Sequence, residues 1–400
     1  MDSLPIPDFA DFFDQWSALD ALADEPPRLL FESARGCWWG ALRHCTFCGL
    51  NGEAMSFRSK SADRAVAELC ELASRHPGLD IYAVDNIIDR SYFDTFLPRL
   101  AASSCDARIF YEVKSNLTKD QLVQLYAAGV RDIQPGIESL HDSVLRIMRK
   151  GVTAIENVQL LKWCAEIGVR AYWNLLWGFP DEPQCAFDEM IGLIPKLAHL
   201  QPPGGMGAIR LDRFSPNFEQ STEMGFRDVR PVPAYGSIYP LPDEELARLA
   251  YFFAFDDDEL RARAASVAEL EDAVVAWRSC HADSHLFAID NDGALVIWDT
   301  RGGCVPTETR LVGFGREVYL ACDRCCSARE LATSLTTSLD SRVSVDRVRD
   351  ELAPLVDAGL VMTDGRRYLS LARLLGGRPM PAKFLVQFAL GLVTEHGDVT

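Results

Sequence analysis

The chain is 400 residues long, enough for one large domain or two to three ordinary ones with a core of substantial size. Its 48% apolar and 24% charged residues sit near the globular average, and its 27 Gly and 21 Pro fall without period, which excludes collagen, coiled coil and bulk disorder. Against 58 acidic side chains stand 40 Lys plus Arg, a formal charge of −18 that argues against capture of nucleic acid or of an anionic membrane and favours a neutral or cationic substrate.

The opening, MDSLPIPDFADFFDQW, has no basic n-region and no long apolar stretch. The longest later apolar run, Phe384 to Val393, contains Gln387 and is too short to span a bilayer, so a soluble, cytoplasmic protein is expected. From residue 29 to about 215, short β-branched or aromatic runs alternate with segments of helical period, the mark of a parallel βα architecture. Strands are predicted at Leu29–Glu32, Ile81–Val84, Arg108–Val113, Asp132–Ile137, Arg170–Leu176 and Ala208–Phe214. Thr118 with Gln121 and Thr153 with Glu156 read as capping boxes, and Gly129 and Gly168 stand where a glycine stop belongs. Six such units are fewer than the eight of a closed barrel, so the expectation is an open, partial barrel with its site at the C-terminal strand ends.

Beyond the barrel, Ser215 to Tyr239 is rich in Pro, Gly and aromatics without period and reads as an ordered loop, followed by a helical region from about Asp243 to Trp277. Ser284 to Asp299 alternates around Asn291-Asp-Gly293, a hairpin signal. Helices over Ser327–Leu335 and Val345–Asp357, then a hairpin over Thr363–Arg366, suggest a winged-helix unit. The expected division is a lead or linker at 1–28, the partial barrel at 29–215, a loop and helical extension at 216–283, and a C-terminal α+β region at 284–400.

Twelve cysteines without a signal peptide point to metal or thiol chemistry rather than disulfides. Cys70, at helical spacing from Val66, Leu69 and Ala73, reads as a small core side chain, and Cys105, Cys164 and Cys185 are read the same way. Cys37, Cys45 and Cys48 differ: in RGCWWGALRHCTFCGLNG they form C-x7-C-x2-C on the loop after the first strand. A zinc site would want His44 as a fourth ligand, although neighbours such as His44 and Cys45 rarely both reach one tetrahedral centre. A cubane iron–sulfur cluster on three cysteines leaves one iron open, and S-adenosylmethionine could chelate that iron through its amino and carboxylate groups.

With that loop on the page, the chain resembles a radical S-adenosylmethionine enzyme. VDNIID at 84–89, YEVKSNL at 111–117, IQPGIESL at 133–140, MRKG at 148–151, WNLLWGFPDE at 173–182, HLQPP at 199–203 and LDRFSP at 211–216 make it similar to maturases of ribosomally made, modified peptides. Among these it is similar to the branch of cobalamin-dependent peptide C-methyltransferases. The resemblance implies a 4Fe–4S cluster on Cys37, Cys45 and Cys48, with Phe47 packed near the adenine of S-adenosylmethionine. It implies cosubstrate contacts from Asp85 and Asn86, against the alternative that they are turn residues. Glu112 and Lys114 would bind the cosubstrate or pair with each other, and Glu138 would face the ribose and sulfonium. Asn174, inside an apolar strand, would face the cofactor or bond a neighbouring strand. GFPDE at 178–182 departs from the family's GFPGE at a turn. Of the aromatics Trp38, Trp39, Trp173, Trp177, Tyr172 and Phe179, most read as core and one could shape a pocket.

Relatives in the methylating branch carry a cobalamin-binding domain before the barrel, and only some 30 residues precede the first strand here. A short form, a truncated piece or one half of a split enzyme is therefore expected, with cobalamin supplied through a missing or separate domain if methylation occurs. The expected partners are a ribosomal precursor peptide, a reductant such as flavodoxin or ferredoxin, and a separate cobalamin-binding protein. Cys322, Cys325 and Cys326, with Cys280 and Cys304, offer material for an auxiliary cluster at a spacing that matches no familiar ligand pattern. The winged-helix unit would bind a leader peptide by strand addition or simply stabilise the fold. The functional expectation is radical modification of a peptide. A non-catalytic peptide-binding homologue and a zinc-stabilised scaffold are the competing classes.

Overall fold

The computed structural model describes residues 1–19, 26–52, 54–256, 263–291, 293–303 and 306–375. The chain divides into two compact units, Met1–Ala282 and Asp283–Thr400.

In the first unit, strands Leu29–Phe31, Ile81–Ala83, Ile109–Glu112, Val130–Gln134 and Arg170–Ala171 form a parallel sheet in that spatial order. Leu29, Ile81, Ile109 and Val130 are register partners across four strands, and all four are buried. Each such side chain contributes roughly 1.5–3 kcal/mol by leaving water. On the opposite pleat Tyr82 stacks on Phe110 with ring centroids 4.8 Å apart. A second parallel pair, Asn174–Trp177 with Gly205–Ala208, continues the sheet through a single bridge between Glu138 and Leu175. The result is the expected α/β partial barrel: the first strand and Gly205–Ala208 do not pair among the described residues, so the ring stays open.

The helices between strands end as their sequences direct. Thr118–Gln121 and Thr153–Glu156 are capping boxes, and Gly168 caps Ala154–Ile167 at φ +88°. Asp132 accepts from Arg108 Nη2 at 2.6 Å and Arg170 Nε at 2.8 Å, tying three adjacent strands together.

Several boundaries differ from expectation. The predicted strand Arg170–Leu176 is two strands, Arg170–Ala171 and Asn174–Trp177, with Tyr172 and Trp173 outside both ladders. The last barrel strand is Gly205–Ala208 rather than Ala208–Phe214. Gly205 there leaves room for the Asn174 amide oxygen, which a Cβ would meet at 2.9 Å. Leu211–Asp212 instead joins an antiparallel sheet with Phe252–Asp256 and Arg227–Pro231. That sheet interrupts both the predicted loop and the predicted helical region: Tyr251 to Phe255 is an aromatic run that prefers a pleated surface. Helices Asp243–Leu249 and Ala264–Cys280 flank the strand. Among the described residues no helix is long and apolar enough to cross a membrane.

The second unit holds the expected hairpin, Leu286–Asn291 with Ala294–Asp299, in which Asn291 pairs with Ala294 and Gly293 takes φ +85°. Thr307–Val312 and Arg373–Leu374 complete a four-stranded sheet. Helices Gly313–Ala321, Ala328–Ser338 and Val345–Asp357 accompany a three-stranded antiparallel sheet, ordered Cys326–Ser327, Arg367–Ser370, Val361–Thr363. Cys322 and Cys326 are buried, whereas Cys304 lies outside the described residues.

Candidate active site

The cysteine loop is fixed at several points. Gly36 must be glycine: it sits at φ +79°, and a Cβ would come 2.4 Å from the Ser56 carbonyl oxygen. Cys37 then opens the short helix Trp38–Arg43, its sulfur accepting from the Gly40 N–H at 3.3 Å. Cys45 and Cys48 share a turn closed by Cys48 N–H to the Cys45 carbonyl at 3.2 Å. Thr46 between them is buried; its N–H donates to the Met148 carbonyl at 3.2 Å, and its carbonyl accepts from Asn217 N–H at 2.8 Å.

The three thiols are half-buried and feel one another. Burial pushes Cys48 up to about 11 and raises Cys37, and the neighbouring Cys45 pushes both in the same direction while Lys150 opposes it. Burial thus makes the charge on Cys37 and Cys48 costly until a metal centre takes it. The His44 ring Nε2 sits 2.8 Å from the Cys48 carbonyl, so it is engaged with backbone rather than poised as a fourth ligand. An all-sulfur set of three fits a cluster with one open iron and does not fit a closed zinc site.

Lys150, which the sequence reading passed over, is the charged hub of this site. Its ammonium lies 3.7 Å from Glu138 Oε1 and 5.8 Å from the centre of the Phe47 ring, and it is buried. The ammonium also lies close to Gly136, where a Cβ would come 2.9 Å from it. Glu138 takes φ +59°, and burial raises its carboxyl while Lys150 lowers it. Burial and repulsion from Glu138 and Asp85 lift Glu112 to about 7. Burial, then Lys150, depress Lys114 to about 8. Lys114 does not pair with Glu112: it donates to the Lys150 carbonyl at 2.5 Å and lies 4.0 Å over the Trp39 ring. MRKG at 148–151 was the available signal, since Arg149 at φ +56° and Gly151 at φ +64° turn Lys150 back toward the loop.

The remaining positions divide. Asp85 is buried, and both its oxygens accept from Ser33, the backbone N–H at 2.7 Å and the hydroxyl through a short bond. Burial nevertheless lifts its carboxyl to about 6. Asn86 donates to Asn51 of the cysteine loop at 2.8 Å. Asn174 is exposed rather than enclosed, because Trp173 and Leu175 on either side take the buried face of the strand. Phe47 meets Phe179 edge-on at 6.2 Å. Trp38 donates to the Ile88 carbonyl at 2.9 Å and Trp173 to the Gln201 carbonyl at 3.0 Å, so both anchor structure. In GFPDE, Glu182 is buried and accepts from Gly178 and Phe179 N–H at 2.7 and 3.2 Å, while Asp181 holds φ +60°, the conformation for which glycine is suited. Of the isolated cysteines read as core, Cys164 is buried and Cys70 and Cys105 half-buried, but Cys185 is exposed at the start of its helix, where nothing packs over it.

Beside the cysteine loop lies a cavity of about 730 Å³ whose lining includes Leu42, Arg43, His44, Arg146, Arg149 and Glu156. Arg43, Arg146 and Arg149 are exposed and form no ion pair among the described residues. In a chain of charge −18 this is a local basic surface next to Cys45.

Residues 31–194 match the Radical SAM superfamily. This stretch is therefore a radical SAM domain, an enzyme domain that implies a 4Fe–4S cluster and S-adenosylmethionine. The chain is also similar to an uncharacterized methyltransferase, PH0819, of Pyrococcus horikoshii, 23% identical over 202 residues that cover 49% of this chain and 42% of that protein. Among solved structures it is similar to the cobalamin-dependent S-adenosylmethionine radical enzyme OxsB with aqua-cobalamin and S-adenosylmethionine bound. There the TM-score is 0.44 and the identity 14%, over 83% of this chain and 54% of that one. It is similar as well to the coproporphyrinogen III oxidase HemN of Escherichia coli, with TM-score 0.35 and 16% identity over 88% and 89% of the two chains. The chain thus spans less than half of the curated relative's length.

Proposed function

We propose that Cys37, Cys45 and Cys48 hold a 4Fe–4S cluster whose open iron receives S-adenosylmethionine, and that the chain acts on a ribosomally made peptide. Held by Cys37, Cys45 and Cys48, such a cluster would supply the electron for reductive cleavage of the cosubstrate's carbon–sulfur bond, the radical chemistry by which a hydrogen would be removed from the substrate. The observation that carries this reading is the set of three half-buried thiols on one loop, Cys37 and Cys48 within the field of Lys150, with His44 turned to the backbone.

The chain's own residues then have distinct tasks. Phe47 and Phe179 offer an aromatic wall for the adenine. Glu138, held by Lys150, offers an acceptor for the ribose hydroxyls, and Glu112 a second one beside it. Asn86 braces the cysteine loop through Asn51, and Asp85 holds Ser33 at the start of that loop.

Anaerobic reconstitution tests the reading. About four irons and four sulfides per chain and release of 5′-deoxyadenosine under reduction support it, and the Cys45→Ala variant should lose both while keeping its circular dichroism. Wild-type protein that stays colourless and takes up no iron and sulfide overturns it.

The curated relative's description as a methyltransferase favours methyl transfer as a second reading, with cobalamin supplied by a separate protein. Methyl transfer that appears only on adding methylcobalamin and its carrier would select it. The sheet edge at Val361–Thr363, in what we take as a winged-helix unit, is the place where a leader peptide could add a strand.

A further inference from the structure

A second group of donor side chains converges within the same domain and takes no part in the chemistry above. His141 precedes the short helix Asp142–Ile147 and is buried, its backbone N–H held by the Ser139 hydroxyl at 3.2 Å. Its ring Nε2 lies 3.2 Å from Glu189 Oε2. Cys185 opens the helix Cys185–Leu197, and Glu189 follows one turn later, so thiol and carboxylate are neighbours on one helix face. One imidazole nitrogen, the Cys185 sulfur and a Glu189 oxygen all lie within 4.8 Å of one another.

We propose that His141, Cys185 and Glu189 form a binding site for a borderline-soft divalent cation, zinc above all, with its remaining coordination position open to water.

The donor chemistry selects the ion. Thiolate, imidazole and carboxylate are the three ligand types zinc takes at about 2.0–2.3 Å, whereas magnesium and calcium avoid sulfur. The set is also built for a cation in its mechanics. His141 is the fixed ligand, locked by burial, while Cys185 is exposed and the Glu189 side chain is 63% exposed, so two free arms can close on one rigid point. A thiol nucleophile is the other use of such a trio, and there an acid on the ring's second nitrogen would orient the base. Nδ1 of His141 is buried without a hydrogen-bond partner, so that acid is missing. Exposure of Cys185 has no packing explanation, and a metal-facing role supplies one.

The test uses the full chain with its cluster reconstituted, so that Cys37, Cys45 and Cys48 are occupied. It is dialysed against zinc buffered at micromolar free concentration, with bound zinc and its X-ray absorption edge as readouts. One zinc per chain is expected, coordinated by one sulfur and otherwise nitrogen and oxygen. Cys185→Ser should abolish the sulfur signal, and Glu189→Gln should weaken binding about tenfold or more, with the fold unaffected because both side chains are exposed. Cys45→Ala should retain this zinc, which separates the site from the cluster loop. Failure of the wild-type chain to retain zinc overturns the proposal, as does Cys185→Ser binding zinc with unchanged affinity and sulfur coordination.

Discussion

Lys150 and Glu138 meet at 3.7 Å beneath the cysteine loop, the lysine delivered by a left-handed turn and the glutamate itself held at φ +59°. Two unusual backbone positions thus serve one electrostatic contact, between side chains only 11% and 17% exposed. Removing one partner of such a pair leaves the other buried and uncompensated.

Lys150→Met should accordingly destabilise the cluster-free chain by about 2–3 kcal/mol. Glu138→Gln in the same chain should recover part of that loss. Urea denaturation of the two single variants and the double variant gives the coupling, and strictly additive losses would show that the pair does not act as one.

Glu112 sets a pH dependence. With its carboxyl lifted to about 7 against an ordinary 4.5, the native chain keeps a proton that the unfolded chain loses across that interval. The associated stability is complete below about 4.5 and gone above about 7, a fall of roughly 3 kcal/mol as pH rises. Asp85, lifted to about 6, acts in the same direction. Glu112→Gln should flatten the slope, so denaturation midpoints of the cluster-free wild type and this variant at pH 5 and pH 8 provide the check. Parallel midpoints at the two pH values would contradict it.

Asp181→Gly should be neutral or stabilising by about 0.5–1 kcal/mol, because φ +60° is strained for a side chain and free for glycine. Asp181→Val should cost at least about 1 kcal/mol by the same argument. Thermal melting of the three proteins orders them, and valine at wild-type stability would refute the reading of the turn.

Electron delivery by an acidic protein is expected at the basic cavity. Exchanging Arg43 and Arg146 for glutamate should slow reduction by flavodoxin about tenfold and remove its salt dependence, with reduction by dithionite unchanged. Equal slowing with dithionite would mean that the substitutions damage the cluster loop instead.

The architecture was readable where chemistry and periodicity coincide. Cysteine spacing carries its meaning in the sequence, and the capping boxes at Thr118 and Thr153 mark helix starts through local bonds alone. Lys150 was hidden because its place depends on the turn through Arg149 and Gly151, a tertiary event with only a short motif to announce it. That Asn174 stands on the exposed side of its strand was not legible, because an apolar run looks buried on both faces, while the pleat buries Trp173 and Leu175. The sixth strand escaped because Gly204, Gly205 and Gly207 have poor strand propensity, and pairing with Asn174–Trp177 overrides it. Cys185 lies on a helix with an apolar face, and sequence alone could not tell that its own position turns away from that face.

Glu138 also stitches, by its main chain, the five-stranded sheet to the last two strands: it bridges Leu175, and its carbonyl accepts from Leu176 N–H at 2.9 Å. A single residue is therefore both seam and contact, and its two duties answer to different substitutions. Exchange for glutamine silences the charge and leaves the join intact, whereas proline at the same place would part the fabric and confound any reading of the carboxylate.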